Sequence, residues 1–290
     1  MNILVTDPVG QDGIDFLKNK GHEVMISDGV LQDADAIIVR GRTKVTKEFI
    51  LQSKKLKVIA RSGTGVDNID VKAAKDKNIS VVNAPGANAE SVAEHTFALI
   101  LALTRNLIPT VNTLKAGKWA KSDFSGMELK GKTLGVVGLG HIGTRVAELG
   151  RAFGMQVQSY EKGSILTEFV ATADFVTLHV PLTDQTSGMM GQKEFAAMKK
   201  TAYLINTARG AIVDELALIA ALKNKTIAGA AVDVFTTEPL SSESELLKLD
   251  NVIMTPHIAA DSREGENRAS LMVAQDVDAV LQGGKPKNLV

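Results

Sequence analysis

Residues 133–154 read TLGVVGLGHIGTRVAELGRAFG. The stretch opens as an apolar, β-rich run and closes on a helix-period segment that sets Ile142, Val146, Leu149 and Phe153 on one face. Between the two lies Gly138-x-Gly140-x-x-Gly143. Such spacing is common in glycine-rich turns, and the context is what gives it meaning: it directly follows a strand and directly opens a helix. Gly138 permits the tight turn and Gly140 lets the backbone approach a pyrophosphate. Gly143 lets helix and strand pack closely, and the helix N-terminus at His141 and Ile142 faces the phosphates. The next strand ends at Glu161, 18 residues past Gly143. An acidic side chain there accepts hydrogen bonds from ribose hydroxyls and repels a 2′-phosphate, which favours NAD over NADP. Lys162 acts in the opposite sense, and a solvated loop charge is the other reading of Glu161. The glycine motif itself, GLGHIGTR at residues 138–145, does not read GxxxxGK[ST], so this is not an ATPase turn.

Outward from this motif, β-rich runs alternate with helix-period runs. Strands are expected at residues 3–6, 23–26, 36–39, 58–60 and 80–82, and again at 133–137, 156–160, 175–178, 202–205, 228–232 and 252–254. Runs such as VIA, LGVV and AAV are apolar on both faces, as parallel strands covered by helices must be. The fold class is therefore α/β with parallel sheets. The turn-rich NAPGANAES, residues 83–91, opens a long helix reaching to about Asn106 and reads as a crossing between domains. Residues 126–132 form a second loop, and a last helix, about 263–282, is expected to return to the first domain.

Composition narrows the function. The 290 residues are 44% hydrophobic and 23% charged, too many for one ordinary core and right for two. Charge balances at 33 basic against 33 acidic residues, which argues against a nucleic-acid or membrane-surface binder. The absence of cysteine excludes disulfides, thiolate metal sites and a Cys nucleophile, and no other metal site is expected. The opening MNILVTDP has neither a basic n-region nor a long apolar h-region. The apolar stretch at residues 98–103 is far short of a membrane span, so cytoplasm is the expected compartment.

Three later segments each join a strand end to a reactive residue: INTARG with Arg209, VDVFTTEP with Asp233 and Glu238, and MTPHIAA with His257. In open α/β sheets, ligands bind beyond the carboxyl ends of strands. A 2-hydroxy or 2-oxo acid needs a guanidinium for its carboxylate. It also needs a proton carrier at its C2 oxygen, which a histidine supported by a carboxylate supplies. Arg209, His257 and Glu238 fill those roles as a set. Singly, each has a plainer reading: a surface ion pair, a structural histidine, a turn residue before Pro239.

At this point the chain resembles the D-isomer-specific 2-hydroxyacid dehydrogenase family, from about Ala36 onward. The resemblance is carried by VRGRTKVT, ARSGTGVDNID, VVNAPGANAESVAEHTFALILALTRN, GKTLGVVGLGHIG, ADFVTLHVPLT, LINTARGAIVDE, AAVDVFTTEP and TPHIAA. It implies two doubly wound domains, a Rossmann NAD domain at 87–260 inserted into a flavodoxin-like substrate domain at 1–86 and 261–290. It implies catalysis by Arg209, Glu238 and His257. Cofactor contacts follow at the glycine motif, Glu161, His179, Pro181, Thr207, Ala208 and Asp233, the last on the nicotinamide side. Substrate contacts are implied at Arg40, Arg61, Ser62, Gly63, Thr64, Asn88 and Lys121, and a homodimer on the helices around residues 91–116.

Within the family the likeness is greatest to members that oxidise 3-phosphoglycerate to 3-phosphohydroxypyruvate on the way to serine. Arg40 and Arg61 match those members' phosphate-side arginines, and Lys121 stands where a residue reaching a partner's site is basic. Reduction of glyoxylate or hydroxypyruvate, or oxidation of another D-2-hydroxy acid, is the alternative. Other function classes also stay open: an NAD-responsive corepressor-like scaffold, since fold does not fix function, and a binding protein without turnover. The intact Arg209, Glu238 and His257 favour an enzyme. Two departures stand out. A helix and strand that the family carries between Glu161 and Ile165 are missing, and DGVLQDAD replaces a helix after Ile26. The first borders the adenine pocket and puts tight NAD binding in question. The chain ends without the regulatory domain of some members, so feedback inhibition by serine through such a domain is not expected.

Overall fold

The computed structural model describes every residue except 28–32 and Lys162. The chain divides into two compact units, Met1–Ala89 with Ala260–Val290, and Glu90–Ala259.

The first unit contains β1 (Asn2–Val5), α1 (Gln11–Asn19), β2 (Glu23–Ile26), β3 (Ala36–Val39), α2 (Lys47–Ile50), β4 (Val58–Arg61), α3 (Val71–Asp76) and β5 (Ser80–Val82), with the final helix Arg263–Leu281. Its parallel sheet runs β2-β1-β3-β4-β5, the flavodoxin-like order. Burial on both faces explains why β1, β3, β4 and β5 are largely apolar. Ile3, Val5, Ala36, Ile38, Val58 and Ala60 pack on one face with Leu17 of α1 and Val273 and Val277 of the final helix. Leu4, Ile37, Val39, Ile59 and Val81 pack on the other with Ile50 of α2 and Ala73 and Ala74 of α3. Each buried aliphatic side chain contributes about 1.5–3 kcal/mol.

At the carboxyl end of β1 the buried Asp7 accepts the amides of Arg40, Arg42 and Thr43 and the Thr43 hydroxyl. Burial pushes its carboxyl up, but these bonds outweigh burial and hold it below its ordinary value of 3.8. A carboxyl depressed in the folded state stabilises the fold above its unfolded pKa, and the stability disappears as pH falls through the folded value. Asp7→Asn is therefore expected to cost about 1–3 kcal/mol at neutral pH. It is also expected to flatten the loss of stability below about pH 4. Urea unfolding followed from neutral pH to about pH 3 measures both. A variant with the wild-type acid profile would remove Asp7 from the account.

The second unit contains α4 (Ala89–Thr104), α5 (Leu107–Lys115), β6 (Thr133–Val137), α6 (His141–Ala152), β7 (Gln156–Tyr160), α7 (Leu166–Thr172), β8 (Phe175–Leu178), α8 (Gln192–Ala197), β9 (Tyr203–Asn206), α9 (Glu215–Lys223), β10 (Gly229–Val232) and β11 (Val252–Met254). The parallel sheet runs β11-β10-β9-β8-β6-β7. Among the described residues, this is the Rossmann arrangement without the strand that ordinarily lies outside β7. The connection from β7 passes directly to α7, so β7 is a sheet edge and Gln156 is exposed. Of the shortened DGVLQDAD connection, residues 28–32 lie outside the described residues. β9 and β10 each begin one residue later than the sequence pattern places them, at Tyr203 and Gly229. Among the described residues, no single helix is long and apolar enough to cross a membrane.

Candidate active site

β6 and β8 are neighbours, and the chain leaves them to opposite sides, so their carboxyl ends form the switch point of the second unit's sheet. The glycine turn lies there. Gly138 has φ +97, and a Cβ on it would stand 2.6 Å from the His179 carbonyl oxygen. A Cβ on Gly143 would come within 1.8 Å of the Gly138 carbonyl oxygen. Gly140 has open space where a Cβ would project, and it begins α6 with no side-chain cap. The first-turn amides at His141, Ile142 and Gly143 therefore remain available to an anion. These features fit a dinucleotide pyrophosphate.

Glu161 is exposed beyond β7, in a turn closed by its carbonyl with the Ser164 amide. Lys162 lies outside the described residues. If Glu161 meets the ribose diol, Glu161→Ala should narrow a preference for NAD over NADP by about 10–150-fold, the worth of a hydrogen bond to a charged group. Comparison of kcat/KM with the two cofactors is the check. Equal use of both by the unmodified protein would rule the role out.

His179 is half-buried as a residue, but its Nδ1 is buried and lacks a hydrogen-bond partner, while Nε2 pairs with the Thr177 hydroxyl at 2.8 Å. Burial pushes its pKa down to about 3, so the ring is neutral at working pH and is no general acid. Pro181 is exposed, with its carbonyl accepting from Thr186.

The turn after β9 carries Thr207, Ala208 and Arg209. Asn206, which the sequence reading passed over, brackets this turn. Its Oδ1 accepts the Ala208 amide and its Nδ2 donates to the Arg209 carbonyl. An asparagine closing a strand before a turn is the signal that pointed to it. Arg209 Nη1 donates to the Ala208 carbonyl at 2.7 Å. Gly210 was missed as well. A Cβ there would lie 2.0 Å from the Phe235 carbonyl carbon, so only glycine lets the Arg209 turn approach the loop that leads to Glu238.

The loops after β10 and β11 bring Glu238 and His257 together. His257 Nδ1 is 2.7 Å from Glu238 Oε2, and the imidazole side chain is 47% exposed. Glu238 Oε1 also accepts the Phe235 amide. His257 has φ +56, a left-handed conformation that a non-glycine residue keeps only where its surroundings dictate it. Asp233 dictates it. Its carbonyl takes the His257 amide, and its carboxylate takes the Ile258 and Ala259 amides and the Thr255 hydroxyl. The Asp233 side chain is wholly buried, and its carboxylate braces the His257 turn.

In the first unit, Arg40, Ser62 to Thr64, and Asn88 follow β3, β4 and β5, three adjacent strands. Arg40 is bonded to Asp261 and Glu266, so its charge is offset locally. The Arg61 side chain crosses Gly63, where a Cβ would meet its guanidinium at 1.5 Å. Ser62 is buried, and Thr64 Oγ1 donates to Asn88 Oδ1 at 3.0 Å. Lys121 is exposed beyond α5.

Residues 97–259 match the family described as D-isomer specific 2-hydroxyacid dehydrogenase, NAD binding domain. The D-3-phosphoglycerate dehydrogenase of Methanocaldococcus jannaschii is 45% identical over 312 aligned positions, covering 100% of this chain and 59% of that protein. The chain spans between 54% and 59% of the length of the first such relatives. The hydroxypyruvate reductase of Thermotoga maritima is 39% identical over 94% of this chain and 96% of its own length. The crystal structure of the TT0316 protein from Thermus thermophilus superimposes with a TM-score of 0.93 at 35% identity, over 100% of both chains. The chain belongs to the D-isomer specific 2-hydroxyacid dehydrogenase family.

Proposed function

We propose that the protein is an NAD-dependent dehydrogenase of D-2-hydroxy acids, and that it oxidises 3-phosphoglycerate. The observation that carries the chemistry is the 2.7 Å contact between Glu238 and His257, with the imidazole open to solvent beside it. When bound, NAD supplies the acceptor for the hydride leaving C2. Arg209 holds the substrate carboxylate. His257 takes the proton of the C2 hydroxyl on Nε2, and the Glu238 carboxylate steadies the cation so formed. In the reverse direction His257 returns that proton to the oxo oxygen.

The phosphoglycerate reading is supported by relatives of that name at 39–45% identity, and by Arg61 and Lys121 as cations for a distal phosphate. Hydroxypyruvate reduction is the second reading. It is favoured by the relative matched over nearly its whole length and by Arg40, whose charge is already offset by two carboxylates. The same proposal includes a homodimer. α5 buries none of its residues and leaves Leu107, Ile108, Val111 and Leu114 exposed, with Trp119 beyond. A second copy covering this face explains why they are apolar.

An NADH absorbance assay against a panel of 2-hydroxy and 2-oxo acids tests the reading. Turnover of none of them would support the scaffold alternative. Arg61→Ala is expected to reduce kcat/KM for 3-phosphoglycerate about 10–150-fold and to spare unphosphorylated acids. Equal losses on both would sink the phosphoglycerate reading and leave the dehydrogenase reading intact.

A further inference from the structure

Two adjacent side chains of α4 have no part in the chemistry described above, yet both reach the loops that carry it. His95 Nε2 lies 3.2 Å from Thr255 Oγ1 and 3.7 Å from Asp233 Oδ1. The Thr96 hydroxyl lies 3.2 Å from that of Thr207. Thr255 leads from β11 into His257, and Thr207 leads from β9 into Arg209. β10 separates those strands in the sheet, so one turn of α4 grips two loops that do not adjoin.

The polarity of both contacts follows from their neighbours. Thr255 Oγ1 is 2.5 Å from Asp233 Oδ1, so its single proton goes to the carboxylate. Its lone pair is then left to accept from His95 Nε2–H. Thr96 gives its own proton to the Val92 carbonyl at 2.8 Å, and therefore accepts from Thr207. His95 is 20% exposed and Asp233 is wholly buried, so the relay runs through a region where hydrogen bonds to a carboxylate are strong. Asp233 is its centre. The same carboxylate that receives Thr255 also receives the Ile258 and Ala259 amides, which fold the left-handed turn at His257.

We propose that His95 is a positioning residue: through Thr255 and Asp233 it holds the His257 turn, while Thr96 holds the Arg209 turn from the same helix. The pair fixes the spacing between the proton carrier and the carboxylate-binding arginine. This rests on the dehydrogenase reading for its kinetic consequence, but not for its structural one.

The test combines kinetics with amide hydrogen exchange on the full chain. His95→Leu is expected to lower kcat about 10- to 100-fold, the usual cost of a slightly misplaced catalytic group. KM for NAD should be unchanged, because the glycine turn is untouched. The Ile258 and Ala259 amides should exchange faster, while those of β6 and β8 keep their protection. His95→Gln, which can still donate to Thr255, should restore most of kcat and of the protection. Thr255→Val breaks the relay at its middle and should reproduce the Leu signature, which keeps the test decisive if His95→Leu folds poorly. Normal kcat in both His95→Leu and Thr255→Val would overturn the proposal, as would unchanged exchange at residues 258–259. A general loss of protection with raised KM and no rescue by Gln would equally overturn it, showing a merely structural residue. If the unmodified protein turns over no acid, the dehydrogenase reading falls and the exchange arm alone decides the brace.

Discussion

Replacing His257 with alanine is expected to lower turnover by about 10²–10⁴-fold, the usual contribution of a positioned proton-transfer group. The expectation rests on three features of one side chain. Its Nδ1 is held by Glu238 at 2.7 Å, which leaves Nε2 as the reactive nitrogen. The ring is exposed enough to meet a substrate. The backbone is pinned by Asp233, so the ring does not wander. Loss of the side chain and disturbance of the turn have to be separated, because His257 sits at φ +56. His257→Asn does so. Asparagine tolerates the left-handed conformation but has no basic nitrogen. Both variants should lose turnover to a similar extent while binding NAD as the unmodified protein does. Glu238→Gln should show a smaller defect, since the amide can still accept from Phe235 but no longer offsets the charge on His257. Stopped-flow or steady-state NADH absorbance measures all three. Near-normal turnover in His257→Asn would remove the imidazole from the mechanism.

Arg209→Ala is expected to reduce kcat/KM by about 30- to 5,000-fold for every 2-hydroxy acid, corresponding to roughly 2–5 kcal/mol for truncating one partner of a desolvated charge pair. The arginine stands on a turn built to hold it. Asn206 bonds both sides of the turn, and Gly210 lets it lie against the backbone at Phe235. Arg209→Lys should recover little, because an ammonium replaces a planar fork with a point charge. The comparison with Arg61 is informative. All candidate substrates share the carboxylate, whereas only some carry a distal phosphate. Arg209→Ala should therefore be indifferent to phosphorylation and Arg61→Ala should not. Activity on lactate-sized and phosphorylated acids alike that survives Arg209→Ala would place the carboxylate elsewhere.

Most of the architecture is legible in the linear chain because its causes are local. A run such as AIIV at β3 is apolar at every position, and only a strand covered on both faces buries it all. The glycine motif is equally local. The constraint on Gly143 comes from the carbonyl of Gly138, five residues away, so spacing alone expresses it. The candidates at 209, 238 and 257 are visible as reactive residues just past apolar strands, which is where an open sheet presents them. The missing outer strand is legible too, as the short interval between Glu161 and Ile165, although its consequence, β7 as an exposed edge, appears only once the sheet is assembled. Other features depend on partners far away in the chain, and no pattern expresses them. The pairing of Arg40 with Asp261 and Glu266, 221 and 226 residues distant, appears only on folding. The bonds of the Asp233 carboxylate to the Ile258 and Ala259 amides, 25 and 26 residues on, appear only on folding. The contact of His95 with Thr255, 160 residues on, likewise appears only on folding. The apolar pattern of a covered strand and the spacing of the glycine turn are written in neighbouring residues, whereas the left-handed turn at His257 and the hydrogen-bond partner of a charged side chain are set by which distant elements packing brings within about 3 Å.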